Sequence, residues 1–192
     1  MKAPTSRRPG GFTLVELLVV ILIIAALATL GITGGLKALE RAKRATSMAV
    51  ARGIESAVNN FFTEYGSMPG DGSATVDATV RTNTAAGIDL LEILLGDDTA
   101  VNTRGIEFFK CADGKNNANG IIYSDDTVTG LYDPWGGPYH VMLDFDINEK
   151  LSAQTAADDA PKTLNGRRVA VWSNGADGVD SGGETQDDVK TW

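Results

Sequence analysis

Leu17–Ala28 has no polar side chain. It lies inside a longer stretch, Phe12–Leu36, interrupted only by Thr13, Glu16, Thr29, Thr33 and three glycines. A helix of about 20 such residues crosses a hydrocarbon core of about 30 Å, so a transmembrane half-helix is expected over 12–36. A secretory signal peptide has the same basic-then-apolar order. Ala26-Leu27-Ala28 is a poor cleavage site for one, however, and the helical pattern continues past the run instead of breaking. Lys2, Arg7 and Arg8 precede the apolar stretch, while Lys37, Arg41, Lys43 and Arg44 follow it. Charge counting alone therefore leaves the orientation nearly tied.

Glu16 is out of place in such a segment. A carboxylate deep in a membrane costs on the order of 2–3 kcal/mol, and intramembrane acids usually have a partner. Nothing basic lies within a few helical turns on the C-terminal side. A cut between Gly11 and Phe12 would create an α-amino group four residues from Glu16. That amine on one subunit could meet Glu16 on the next, neutralising both and setting the stagger of packed helices.

Gly10-Gly11-Phe12-Thr13-Leu14-Val15-Glu16, after a basic leader and before the apolar run, resembles the prepilin-peptidase signal of type IV pilins and type II secretion pseudopilins. The resemblance implies a leader over 1–11, Gly11 as the residue before the cut, Phe12 as the N-methylated mature terminus and Glu16 as the assembly glutamate. It also implies a single-pass protein of the inner membrane, with a cytoplasmic leader and its body in the periplasm. Many members of the family have a proline where this chain has Thr33. Here Gly34-Gly35 follows, and adjacent glycines also weaken or bend a helix.

Past the anchor, Leu36, Leu39, Ala42, Ala45 and Met48 continue at helical spacing. Val50, Ile54, Ala57, Val58, Phe61 and Tyr65 follow on one face. An amphipathic half-helix over 37–65 is expected, packed on the chain's own sheet and ending near Gly66. Residues 66–192 form the body. Ser73–Asn83 reads as a loop, Gly87–Leu95 as a short helix ended by Gly96, and Ala112–Gly120 as a polar loop. Gly120–Ser124, Tyr139–Phe145 and Arg167–Ser173 read as strands, with Gln154–Lys162 a surface excursion between the last two. The fold class is α+β, a long N-terminal helix with a small antiparallel sheet. Cys111 is the single cysteine, which excludes an internal disulfide; it reads as a small, buried or half-buried residue.

From Tyr65 onward there are nine Lys/Arg against 21 Asp/Glu, a net of −12. This acidity disfavours nucleic acid and suits cations. It peaks near the C-terminus, where five carboxylates fall within Asp177–Asp188. Hard cations take oxygen ligands on irregular loops, and glycines let carbonyls turn inward. The register of an EF-hand is missing, and by composition alone a solvated acidic loop stays open as the other reading.

Two segments resemble the major pseudopilins of type II secretion. One is Asp133-Pro134-Trp135-Gly136-Gly137-Pro138-Tyr139. The other is Ser173-Asn174-Gly175-Ala176-Asp177-Gly178 with Gly182-Gly183 and Asp187-Asp188-Val189. That resemblance implies a calcium loop with Asp177 and Asp187 or Asp188 as side-chain ligands, carbonyls near Asn174 and Thr185 completing the shell, and Asp180 as a further candidate. It implies a structural subunit of a periplasmic pseudopilus that drives protein export. Its partners would be prepilin peptidase, copies of itself in a helical filament, other pseudopilins and the inner-membrane secretion platform.

A type IV pilus pilin is the alternative. Such pilins commonly close their C-terminal region with a disulfide, which one cysteine cannot form. A membrane-tethered enzyme or binding protein is a distant third reading. His140, the only histidine, has no Ser or Cys motif beside it, and Asp125-Asp126 and Asp144/Asp146 read as solvated strand or turn positions.

Overall fold

The computed structural model describes residues 11–70, 72–153, 162–179 and 187–192, with the side chains of 28–34 and 153 outside that set. Helix α1 covers Leu14–Tyr65. The chain divides into two compact units, the first ending at Arg41 and the second running Ala42–Trp192.

In the first unit the apolar side chains face outward: Leu14 is 79% and Leu27 64% exposed. Among the described residues, no helix is long and apolar enough to cross a membrane. The crossing expected over 12–36 rests on composition.

In the second unit α1 buries Ser47, Ala51, Ile54, Ala57, Val58 and Phe61. The three- and four-residue steps among these positions mark one face of a helix. The expected stripe is corrected at its start: Leu36 and Leu39 are exposed, and burial begins one residue before Met48. The helix stops at Tyr65, ahead of Gly66, as the breakers there require.

The body supplies the sheet that covers this face. In chain order its elements are β1 (Ala78–Arg81), α2 (Ala85–Leu95), β2 (Gly120–Ser124), β3 (Thr127–Tyr132), β4 (Tyr139–Leu143), β5 (Lys150–Ala153), β6 (Lys162–Asn165), β7 (Val169–Ser173) and β8 (Val189–Lys190). Strands β1, β4, β7 and β8 form one antiparallel sheet in that order, while β2–β3 and β5–β6 are separate hairpins. Alternation along a strand sends neighbours to opposite faces. Tyr139, Val141, Leu143, Val169 and Val171 pack with α1 and with Leu90, Leu91 and Leu94 of α2. On the other face Met142, Ala170 and Trp172 meet Leu151 and Leu164 of the β5–β6 hairpin and Trp192.

Helix α2 ends where expected, at Gly96, whose φ of 91° is open to glycine and strained for other residues. Ser73–Asn83 is not all loop, since β1 lies within it and pairs with β4 from Ala78↔Leu143 to Arg81↔His140. Its four residues lie too close to turn formers for their pattern to stand out. Two buried polar side chains tie the middle of the chain together. Thr82 Oγ1 donates to Leu131 O at 2.6 Å and accepts the N–H of Tyr139 at 2.9 Å. Asn102 Nδ2 donates to the carbonyls of Ile93 and Ile106, and its Oδ1 accepts the Tyr65 hydroxyl at 2.7 Å. The segment between α1 and β4 thus holds a strand, a helix and a hairpin built into the main core.

Candidate functional site

The N-terminal site begins outside the helix. Gly11 and Phe12 are exposed and precede Leu14, the first residue of α1. Thr13 occupies the N-cap. Its N–H and its hydroxyl both donate to Glu16 Oε2, at 2.8 and 2.7 Å, and Thr13 Oγ1 accepts the N–H of Glu16 at 3.2 Å. This is a reciprocal capping box, in which a Thr and the Glu three residues on satisfy donors the helix start leaves open. Glu16 therefore has hydrogen-bond partners within its own chain, and Thr13 joins the site. The Thr-x-x-Glu spacing was the available sequence signal for it.

The C-terminal site is set by β7 and β8. Trp172 pairs with Lys190 and Ser173 with Val189, so the chain leaves the sheet after Ser173 and returns at Val189, clamped at its base. Strand β8 is only two residues long, and periodicity cannot show so short a strand. Asp180 and Thr185 lie outside the described residues; Asn174, Asp177, Asp187 and Asp188 lie inside them.

Asp187 Oδ2 accepts the N–H of Asp177 at 3.0 Å, bringing the two arms of the loop together. Asp177 Oδ1 accepts the N–H of Val179 at 2.8 Å. Gly175 has a φ of 65°, and a Cβ there would stand 2.2 Å from the carbonyl oxygen of Asp187, so the crossing admits only glycine. Asp188 is buried, and its carbonyl accepts a bond from Arg44 of α1 at 3.4 Å.

Asn174 is 8% exposed, and its buried Oδ1 has no hydrogen-bond donor among the described residues. A buried acceptor left unmade costs about 1–3 kcal/mol, and a hard cation is one way to satisfy it. The donor set is all oxygen, so calcium fits the residues present. Asp177, Asp187 and Asp188 do not converge as tightly as Asp77, Asp144 and Asp146, whose carboxylate oxygens lie within 4.8 Å of one another. Among the described residues that trio is the only such group.

The trio strains against itself. Burial, then the charges of Asp146 and Asp144, push the Asp77 carboxyl above its ordinary range. Burial chiefly raises Asp144 as well, although the N–H groups of Glu149 and Asn148 oppose the shift. Asp144 is thus no solvated turn residue; it is fully buried where β4 ends.

His140 is buried in β4 and stacks on Trp172, with ring centroids 4.9 Å apart. Cys111 is half-buried, and burial pushes its thiol above the ordinary value, opposite to the shift that activates a nucleophile.

Residues 6–32 match the prokaryotic N-terminal methylation motif. The chain carries a prepilin-type signal. That match takes in Gly11, Phe12 and the Thr13–Glu16 cap, and it supports the type IV pilin-like class, pilus or pseudopilus. Proteins of this class are processed by prepilin peptidase and assemble into filaments; their role is structural and not enzymatic. No solved structure matches the chain.

Proposed function

We propose that this protein is the major pseudopilin of a type II secretion system, a subunit that assembles through α1 into a periplasmic pseudopilus and carries calcium in its last loop. The observation that supports the secretion reading is Asn174, whose buried and unsatisfied Oδ1 lies in a loop closed by β7–β8 pairing and lined by Asp177 and Asp187.

The assembly step follows from charge. The leader is cytoplasmic and Phe12–Leu36 inserts in the inner membrane. Cleavage after Gly11 then exposes an amine at Phe12. Glu16 is held by Thr13 until an amine from a neighbouring subunit competes for the carboxylate. Thr13 offers the carboxylate only neutral donors, whereas the amine brings an opposite charge, and pairing neutralises both charges in lipid. Uncut precursor lacks that amine and does not assemble. Asn174, Asp177, Asp187, Asp188 and the Thr185 carbonyl would hold calcium, which offsets the mutual repulsion of the acids and orders the loop.

A type IV pilus pilin would share the N-terminal chemistry, and a gene deletion separates the two. The secretion reading expects exported enzymes to accumulate in the periplasm while surface pili persist. Lost pili with normal export would assign the chain to a pilus instead.

A further inference from the structure

Asp133 is a fully buried carboxylate that the assembly chemistry above does not use. It opens the turn Asp133-Pro134-Trp135-Gly136-Gly137 after β3. Its Oδ1 accepts the N–H groups of Trp135 and Gly137 at 2.8 and 2.9 Å. Its backbone is fixed on both sides: the N–H donates to Gly137 O, and the carbonyl accepts from Asn119. These bonds account for the turn, but Oδ2 reaches out of it. The hydroxyl of Ser173, the last residue of β7, donates to that oxygen across forty positions of sequence.

A hydroxyl has one proton and two lone pairs. With its proton committed to Asp133, Ser173 Oγ can face the next donor only as an acceptor, and it accepts the N–H of Gly175 at 3.2 Å. Asn174 lies between these two held residues. Gly175 is also the residue pressed against Asp187 O. One buried carboxylate thus fixes the backbone on both sides of the unsatisfied Asn174 and the point where the two arms of the loop cross.

We infer that Asp133 is a positioning residue for the cation loop: through Ser173 it presets Asn174 and Gly175, and so governs calcium affinity without binding the ion. The inference rests on the calcium reading of the loop. An amide at 133 would keep an acceptor for the turn but present Ser173 with a donor, reversing the hydroxyl. An alanine at 173 would break the link while leaving the turn's own bonds in place.

The test is calorimetric titration of calcium into the full chain in detergent after EDTA treatment, for the parent, Asp133→Asn, Ser173→Ala, Ser173→Thr and the double variant Asp133→Asn/Ser173→Ala. Outer residues of this kind typically change metal affinity by about 10–100-fold. Asp133→Asn and Ser173→Ala are each expected to weaken binding about tenfold or more. The double variant should be little worse than either, and Ser173→Thr, which keeps the hydroxyl, should bind as the parent does. Parent-like affinity in Ser173→Ala overturns the inference even if Asp133→Asn fails to fold. No calcium binding by the parent overturns both the inference and the loop reading beneath it.

Discussion

Glu16 Oε2 accepts both the backbone N–H and the hydroxyl of Thr13, so the acid proposed to pair subunits also caps its own helix. Charge and capping can therefore be separated by substitution. Glu16→Gln keeps an acceptor for the Thr13 donors and loses the charge. Helix content by circular dichroism should stay unchanged in detergent, while cross-linked oligomers in membranes disappear. Normal oligomers from Glu16→Gln would mean that the carboxylate charge is not what pairs subunits.

Thr13→Ala acts on the other half of the pair. Replacing an N-cap Thr by Ala costs about 1 kcal/mol. The first-turn amides of α1 should therefore exchange roughly fivefold faster, with no change in the melting of the body. Unaltered exchange at Val15–Leu17 would show that the cap contributes nothing there.

Calcium should appear as stability. A ligand at a hundredfold excess over its Kd adds about 2.7 kcal/mol. For a domain of this size that is a melting shift of about 5–10 °C. EDTA should lower the melting temperature by that amount, and Asp177→Ala should abolish the difference. Equal melting with and without EDTA in the parent chain would remove calcium from the account.

The Asp77–Asp144–Asp146 trio predicts a pH response of defined sign. Carboxyls raised in the fold bind protons more tightly there than in the unfolded chain, so their penalty is full at neutral pH. It shrinks as pH falls through the raised values and is gone below the ordinary carboxylate range near about 4. Asp77→Asn removes one charge from the group. In EDTA it should raise the melting temperature at pH 7 by a few degrees, on the order of 1 kcal/mol for like charges at this spacing in a water-like medium. That gain should narrow at pH 5. A lower melting temperature at pH 7 would mean that the bond Asp77 accepts from the Phe145 N–H outweighs the repulsion.

Phe61 and Leu22 lie on the same helix in different surroundings. Phe61 is 1% exposed and packs on Tyr65 and Phe108, whereas Leu22 is 62% exposed. Phe61→Ala should cost about 3–5 kcal/mol by chemical denaturation of the body. Leu22→Ala should stay within about 0.5 kcal/mol in that assay and show its effect only in assembly. A large loss from Leu22→Ala would contradict the division of labour along α1.

The parts of the fold that were legible in sequence have a period or a terminator. α1 shows helical spacing up to Gly66, α2 stops at Gly96, and β2, β4 and β7 are runs of β-branched and aromatic residues. Most of those that escaped are short or polar; β3 is longer, but Gly130 and two threonines break its apolar pattern. Among the described side chains β5 contributes one inward residue, Leu151, and β6 one, Leu164; β8 is two residues held by its partner. At the N-terminal end, the signal around Gly11, Phe12 and Glu16 was readable because it is local in sequence. The acids of the C-terminal loop were readable as composition. The bond from Ser173 to Asp133 was not, because it joins two turns far apart in sequence and only packing brings them together.

The proposed cut after Gly11 underlies the assembly step, since it would supply the amine that Glu16 is to meet. Intact-mass and N-terminal peptide mass spectrometry of the protein from its native membranes tests it directly. The expected species begins at Phe12 and is one methyl group heavier than the unmodified mature sequence. A protein still carrying Met1–Gly11, or cut at another bond such as that after Ala28, would contradict the account.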